Sequence, residues 1–145
     1  MGITGAIVSE FAIKADRAEI RSAANWLEKT SLEFGVPGNK ALVLDQCLDE
    51  VLMNIVMHAG PSAAESQVEL AFAIHGGEVG KEVAITVSDS GKPFDSAAAS
   101  PKAQAKSLEE AEPGGLGLAI IQGLSSRLAY EFRNGRNFLT FAILI

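Results

Sequence analysis

Between Lys40 and Ala59 the chain carries Leu42, Leu44, Leu48, Val51, Leu52, Ile55 and Val56 at helical spacing, and Gly60-Pro61 ends the run. Around Asn54 the neighbours Met53, Ile55, Val56 and Met57 leave this helix apolar nearly all round. A helix with so broad an apolar face has to be covered by other elements, so the fold needs a second layer against which to pack it.

The rest of the chain supplies that layer. Ile7 to Ile13 alternates loosely and predicts a first strand. Asp16 is placed to cap a helix from Arg17 to about Phe34, with Ile20, Ala23, Ala24 and Leu27 on its apolar stripe; Gly35, Pro37, Gly38 and Asn39 break it. Ser66 to His75 and Lys81 to Ser88 read as two strands joined through Gly76 to Gly80. Leu116 to Leu124 reads as a short helix, and Leu128 to Arg133 with Phe138 to Ile145 as a closing hairpin around Asn134-Gly135. Gly91 to Pro113 has weak periodicity, few large apolar residues and three lysines (Lys92, Lys102 and Lys106), a length and composition expected of a lid. The order β-α-α-β-β-lid-α-β-β predicts an α+β fold: a two-layer α/β sandwich with helices on one face of a mixed, mostly antiparallel sheet.

Residues 1–145 fit one domain with a single core. A net charge of −6 and a pI near 4.9 argue against direct nucleic-acid binding, while a nucleotide carried with a divalent cation stays compatible. A single cysteine forms no internal disulfide, Met1 to Ala15 does not read as a signal peptide, and no apolar stretch reaches membrane-spanning length. The expectation is a cytoplasmic protein without membrane attachment.

Three segments carry chemistry. Glu50, Asn54 and His58 recur every fourth residue and advance slowly around one helix face. Such a stripe on many helices is only solvated surface, yet an amide in apolar surroundings needs a partner. Mg²⁺ keeps its waters and phosphates and needs few protein oxygens, so Asn54 suffices to anchor it. Glu50, one turn away, could accept a proton from an attacking hydroxyl or water. Asp89 ends an apolar strand before Ser90-Gly91, either as an ordinary turn residue or as an acceptor for an exocyclic amine such as adenine's. Gly91 would then let the base approach the backbone. Gly114-Gly115-Leu116-Gly117 enters a helix through glycines, either a plain junction or a phosphate-binding helix start. It is neither a dinucleotide fingerprint nor a Walker motif, since no strand precedes it and no Gly-Lys-Ser/Thr follows. Cys47 reads as a packing residue.

Taken together, these segments resemble the GHKL superfamily of ATP-binding domains, and within it the anti-sigma factor serine/threonine kinases of the RsbW type. Glu50-Val51-Leu52-Met53-Asn54 followed by His58-Ala59 is similar to the N box, Asp89-Ser90-Gly91-Lys92-Pro93-Phe94-Asp95 to the first glycine box, and Glu112 to Leu118 to the second. Gly135 to Thr140 resembles the family's last hairpin.

The resemblance implies a Bergerat-type ATP-binding fold with ATP between the helical layer and a lid. It implies Asn54 as the Mg²⁺ ligand, Glu50 as general base and Asp89 as reader of the adenine amine, with Thr140 assisting at the pocket floor. Gly91 would admit the base, and Gly115, Leu116 and Gly117 would meet the phosphates. It further implies a kinase of a STAS-domain anti-anti-sigma protein that also sequesters a sigma factor, as a homodimer. Two other readings stand beside it: a histidine-kinase-type ATP-binding domain, which lacks a preceding phosphoacceptor helix, and a non-catalytic binding module tuned by nucleotide. Glu50 separates the last from an enzyme, because a binding module has no use for a base beside the metal ligand.

Overall fold

Alternation near the N-terminus forms β1 (Ala6–Lys14), and the chain turns out of it at Asp16, whose Oδ1 accepts the Ala18 N–H at 2.9 Å. That cap opens a 3₁₀ turn, Arg17–Glu19, which runs directly into α1 (Ile20–Glu33). The end of α1 is set by Gly35 at φ +75°, where the Val36 N–H bonds back to Ser31 at 2.9 Å and the Gly35 N–H to Leu32 at 3.3 Å. This paired back-bonding through a left-handed glycine satisfies the last carbonyls of the helix and tucks Val36 into the core. The long apolar run forms α2 (Gly38–His58), beginning two residues earlier than its periodicity implies.

The computed structural model describes residues 6–58, 67–76, 80–91 and 125–145. The remaining strands are β2 (Gln67–Gly76), β3 (Lys81–Asp89), β4 (Arg127–Arg133) and β5 (Arg136–Leu144). They form one five-stranded sheet in the order β1-β2-β3-β5-β4, and each of its four pairings is antiparallel rather than mixed. Asn134 (φ 52°) and Gly135 (φ 77°) make the tight turn of the β4–β5 hairpin, the two successive positive φ values that match the twist of the flanking strands. Of the expected lid only Gly91 is described; the rest of it, the helix at Leu116–Leu124 and the glycines Gly115 and Gly117 with Leu116 lie outside the described residues.

Both helices cover one face of the sheet, α1 against β1 and α2, α2 against β3 and β5. Strand alternation decides which residues meet them. Ile13, Leu70, Phe72, Val83, Ile85, Val87, Leu139, Phe141 and Ile143 point into the interlayer, where Leu27, Leu44, Leu48, Val51 and Leu52 meet them. Trp26 pins α1 to the sheet: its ring stacks on Phe11 (5.8 Å between centroids) and meets Phe72 edge-on, while its Nε1–H donates to Ser9 Oγ at 2.9 Å. Leu42, expected in the buried stripe of α2, is instead 60 % exposed, because the apolar face has rotated past it in the first turns. No described helix is long and apolar enough to cross a membrane.

Candidate functional site at the helix–sheet interlayer

Two sequence-predicted residues lie in the interlayer itself. Asn54 extends the buried face of α2 beyond Val51 and is only 4 % exposed. Its Nδ2 is buried with no hydrogen-bond partner among the described residues. A buried orphan amide in a native fold calls for a partner such as water, an ion or a ligand, since leaving it unpaired costs about 1–3 kcal/mol. The chemistry of the group fits a metal-nucleotide: its carbonyl end suits a hard cation, its NH₂ end a phosphate or carbonyl oxygen. Among the described residues there is no cluster of three or more His, Cys, Asp or Glu placed to hold a metal ion.

Asp89 closes the row Val83, Ile85, Val87 at the end of β3 and is therefore aimed at the same side of the sheet as α2. It is 5 % exposed. The turn after it is tight: the Gly91 N–H donates to Asp89 Oδ1 at 2.8 Å. A second donor reaches the same oxygen, Asn137 Nδ2 at 3.2 Å.

Glu50 sits one turn before Asn54, half-buried beside the interlayer. Burial raises its carboxyl above the ordinary 4.5, and the Asp49 charge pushes the same way. A carboxylate so placed is a stronger proton acceptor than one in water. Cys47, behind it on α2, is fully buried, and burial together with the Glu50 charge lifts its thiol to about 11. That leaves it protonated and inert, a packing residue as its sequence context implies. No hydrogen bond among the described residues joins Glu50 or Asn54 to Asp89; they share an interlayer, not a direct contact.

Thr140 is not brought to Asp89. It pairs with Thr86, two positions of opposite parity from Asp89 and Asn137, and the two hydroxyls bond each other at 2.8 Å. Thr140 therefore lies on the face of the sheet away from the helices, where it lines a groove of about 990 Å³ with Thr86, Ala71, Ala84 and Ala129. That groove contains none of Glu50, Asn54 or Asp89. The residue that supports Asp89 from β5 is Asn137, 5 % exposed. Its strand parity was available in the sequence: Asn137 shares its row with Leu139, Phe141 and Ile143.

A profile of the histidine kinase-like ATPase domain matches residues 13–143. The serine/threonine-protein kinase BtrW of Bordetella bronchiseptica is 32% identical over 118 residues, spanning 81% of this chain and 80% of that protein. Among solved structures the fold is similar to the SiaB–SiaC complex from Pseudomonas aeruginosa, with a TM-score of 0.65 at 21% identity over 96% of this chain and 89% of that one. It is also similar to the RsbU and RsbW domains of Rv1364c from Mycobacterium tuberculosis, with a TM-score of 0.64 at 18% identity over 94% of this chain and 33% of that longer one. These two likenesses speak to the fold alone. With the profile spanning nearly its whole length and a relative covering four-fifths of it, the chain belongs to the histidine kinase-like ATPase domain family.

Proposed function

We propose that the chain is an ATP-dependent protein serine/threonine kinase, working as an anti-sigma factor. The observation that carries this reading is the spacing of a half-buried carboxylate, Glu50, one helical turn from an orphaned buried amide, Asn54. The name of BtrW, a serine/threonine-protein kinase, supports it.

Asn54 holds Mg²⁺ through its carbonyl oxygen, and Asp89 accepts the adenine amine at the end of β3. Gly91 lets the base lie close to the backbone, and Gly115, Leu116 and Gly117 meet the phosphates. Bound Mg²⁺ offsets negative charge on the phosphates. Glu50 takes the proton of a serine or threonine hydroxyl as that oxygen bonds the γ-phosphorus and the bond to the β-phosphate oxygen breaks, with ADP leaving. Its raised pKa suits the task, because the hydroxyl is a very weak acid and gains from a more basic partner. The substrate is a STAS-domain anti-anti-sigma protein, and a homodimer of the kinase sequesters a sigma factor in the cytoplasm.

The test is phosphoryl transfer. Incubation with Mg-ATP and candidate STAS-domain proteins, read by intact mass, should add one phosphate to a serine or threonine of one of them. Tight complex formation without any phosphorylated product would favour the binding-module reading instead.

A further inference from the structure

Every polar atom of the Asn137 carboxamide is engaged in one direction. Its Nδ2 donates to Asp89 Oδ1 and to the Gly91 carbonyl, each at 3.2 Å, and its Oδ1 accepts the Tyr130 hydroxyl. The Tyr130 contact fixes which end of the amide faces Asp89. Turned over, the amide would press its oxygen against two acceptors, the carboxylate and the Gly91 carbonyl. The consequence falls on Asp89. With Gly91 N–H and Asn137 Nδ2 both on Oδ1, the carboxylate is held in one rotamer. No described donor reaches Oδ2.

We propose that Tyr130 and Asn137 are positioning residues that set nucleobase selectivity, by presenting Asp89 Oδ2 as a fixed, unshared acceptor for one exocyclic amine. The proposal rests on the nucleotide reading of the site and goes beyond it, because the family resemblance assigns no role to Tyr130 or to Asn137. A 6-amino purine donates to Oδ2. A 6-oxo purine sets an acceptor against a carboxylate that cannot rotate away, and a purine with hydrogen at that position leaves the carboxylate unpaired. Rigidity is what converts one hydrogen bond into discrimination: a carboxylate free to turn would find water or another donor instead.

The experiment compares binding of ATP, GTP and purine riboside triphosphate, with Mg²⁺, to the full chain and to Tyr130→Phe and Asn137→Ala. Wild type should prefer ATP to both analogues. Each variant should lose roughly tenfold of the preference for ATP over purine riboside triphosphate, equivalent to about 1.4 kcal/mol. Tyr130→Phe keeps the ring and removes only the hydroxyl, so it decides the matter if Asn137→Ala does not fold. If wild type discriminates but ATP and purine riboside triphosphate weaken equally in Tyr130→Phe, the pair is merely structural and this proposal alone is overturned. If wild type binds none of the three, the nucleotide reading fails and takes the proposal with it.

Discussion

Replacing Asn54 with leucine should make the protein more stable and blind to nucleotide at once. Leucine keeps the branching at Cγ, so the change removes an orphan donor from a site that is 4 % exposed with little change of shape. Relief of the unpaired amide contributes about 1–3 kcal/mol. Burial of the extra apolar surface, about 1.5–3 kcal/mol, is offset by overpacking of similar size, about 1–3 kcal/mol. The net gain in the nucleotide-free protein is therefore about 1–3 kcal/mol, or roughly 3–10 °C in Tm for a domain of this length. The assay is a pair of melting curves for wild type and variant, each without ligand and with Mg-ATP. The variant should melt higher without ligand and show no shift with Mg-ATP. If Asn54→Leu instead lowers the ligand-free stability by 1 kcal/mol or more, the amide has a structural partner and the argument from its orphaned donor is wrong.

Three further outcomes follow from other parts of the molecule. Glu50→Gln should cut phosphoryl transfer by about 10²–10⁴-fold while leaving ATP affinity nearly unchanged; single-turnover rates and a nucleotide titration separate the two. Asp45 and Glu50 both hold their protons more tightly in the fold, chiefly through burial, with neighbouring carboxylates adding to it. A raised folded pKa gives stability that is complete below the ordinary values of 3.8 and 4.5 and is lost as pH rises through the folded ones. The double variant Asp45→Asn, Glu50→Gln should therefore gain on wild type as pH rises towards neutrality, read from melting curves across that range. Gly135→Ala should destabilise the β4–β5 hairpin by about 1–2 kcal/mol, since φ 77° is strained for a side chain even though nothing stands within 4 Å of the added Cβ; chemical denaturation measures it.

How much of this was legible in the sequence divides along physical lines. The helices and strands were readable because period and punctuation agree: Asp16 before α1, Gly35 after it and Asn134-Gly135 in the last hairpin each do what their side chains favour. The common face of Glu50 and Asn54 was readable because i, i+4 spacing fixes it on a helix whatever that helix packs against. Leu42 misled, since an apolar residue in a helix's first turns scans as part of the stripe while tertiary packing leaves it outside. Thr140 misled for a related reason. On β5 both rows are apolar, with Phe138 and Ala142 on one and Leu139, Phe141 and Ile143 on the other, so residue type alone does not say which faces the helices. Counting from the hairpin turn would have separated them and placed Asn137 in the row of the core. The Tyr130–Asn137–Asp89 chain was beyond reach for another reason: its three members come from three strands, and only pairing register joins them.

Thermal denaturation of the wild-type chain tests most directly the proposed Mg-ATP site in the interlayer, built on Asn54 and Asp89. Mg²⁺ alone should shift the midpoint little, because one amide oxygen is too little to hold the ion without phosphates. Mg-ATP at about 100 times its Kd should add roughly 2.7 kcal/mol of stability, visible as a clear rise in the midpoint. A midpoint indifferent to millimolar Mg-ATP would contradict the account.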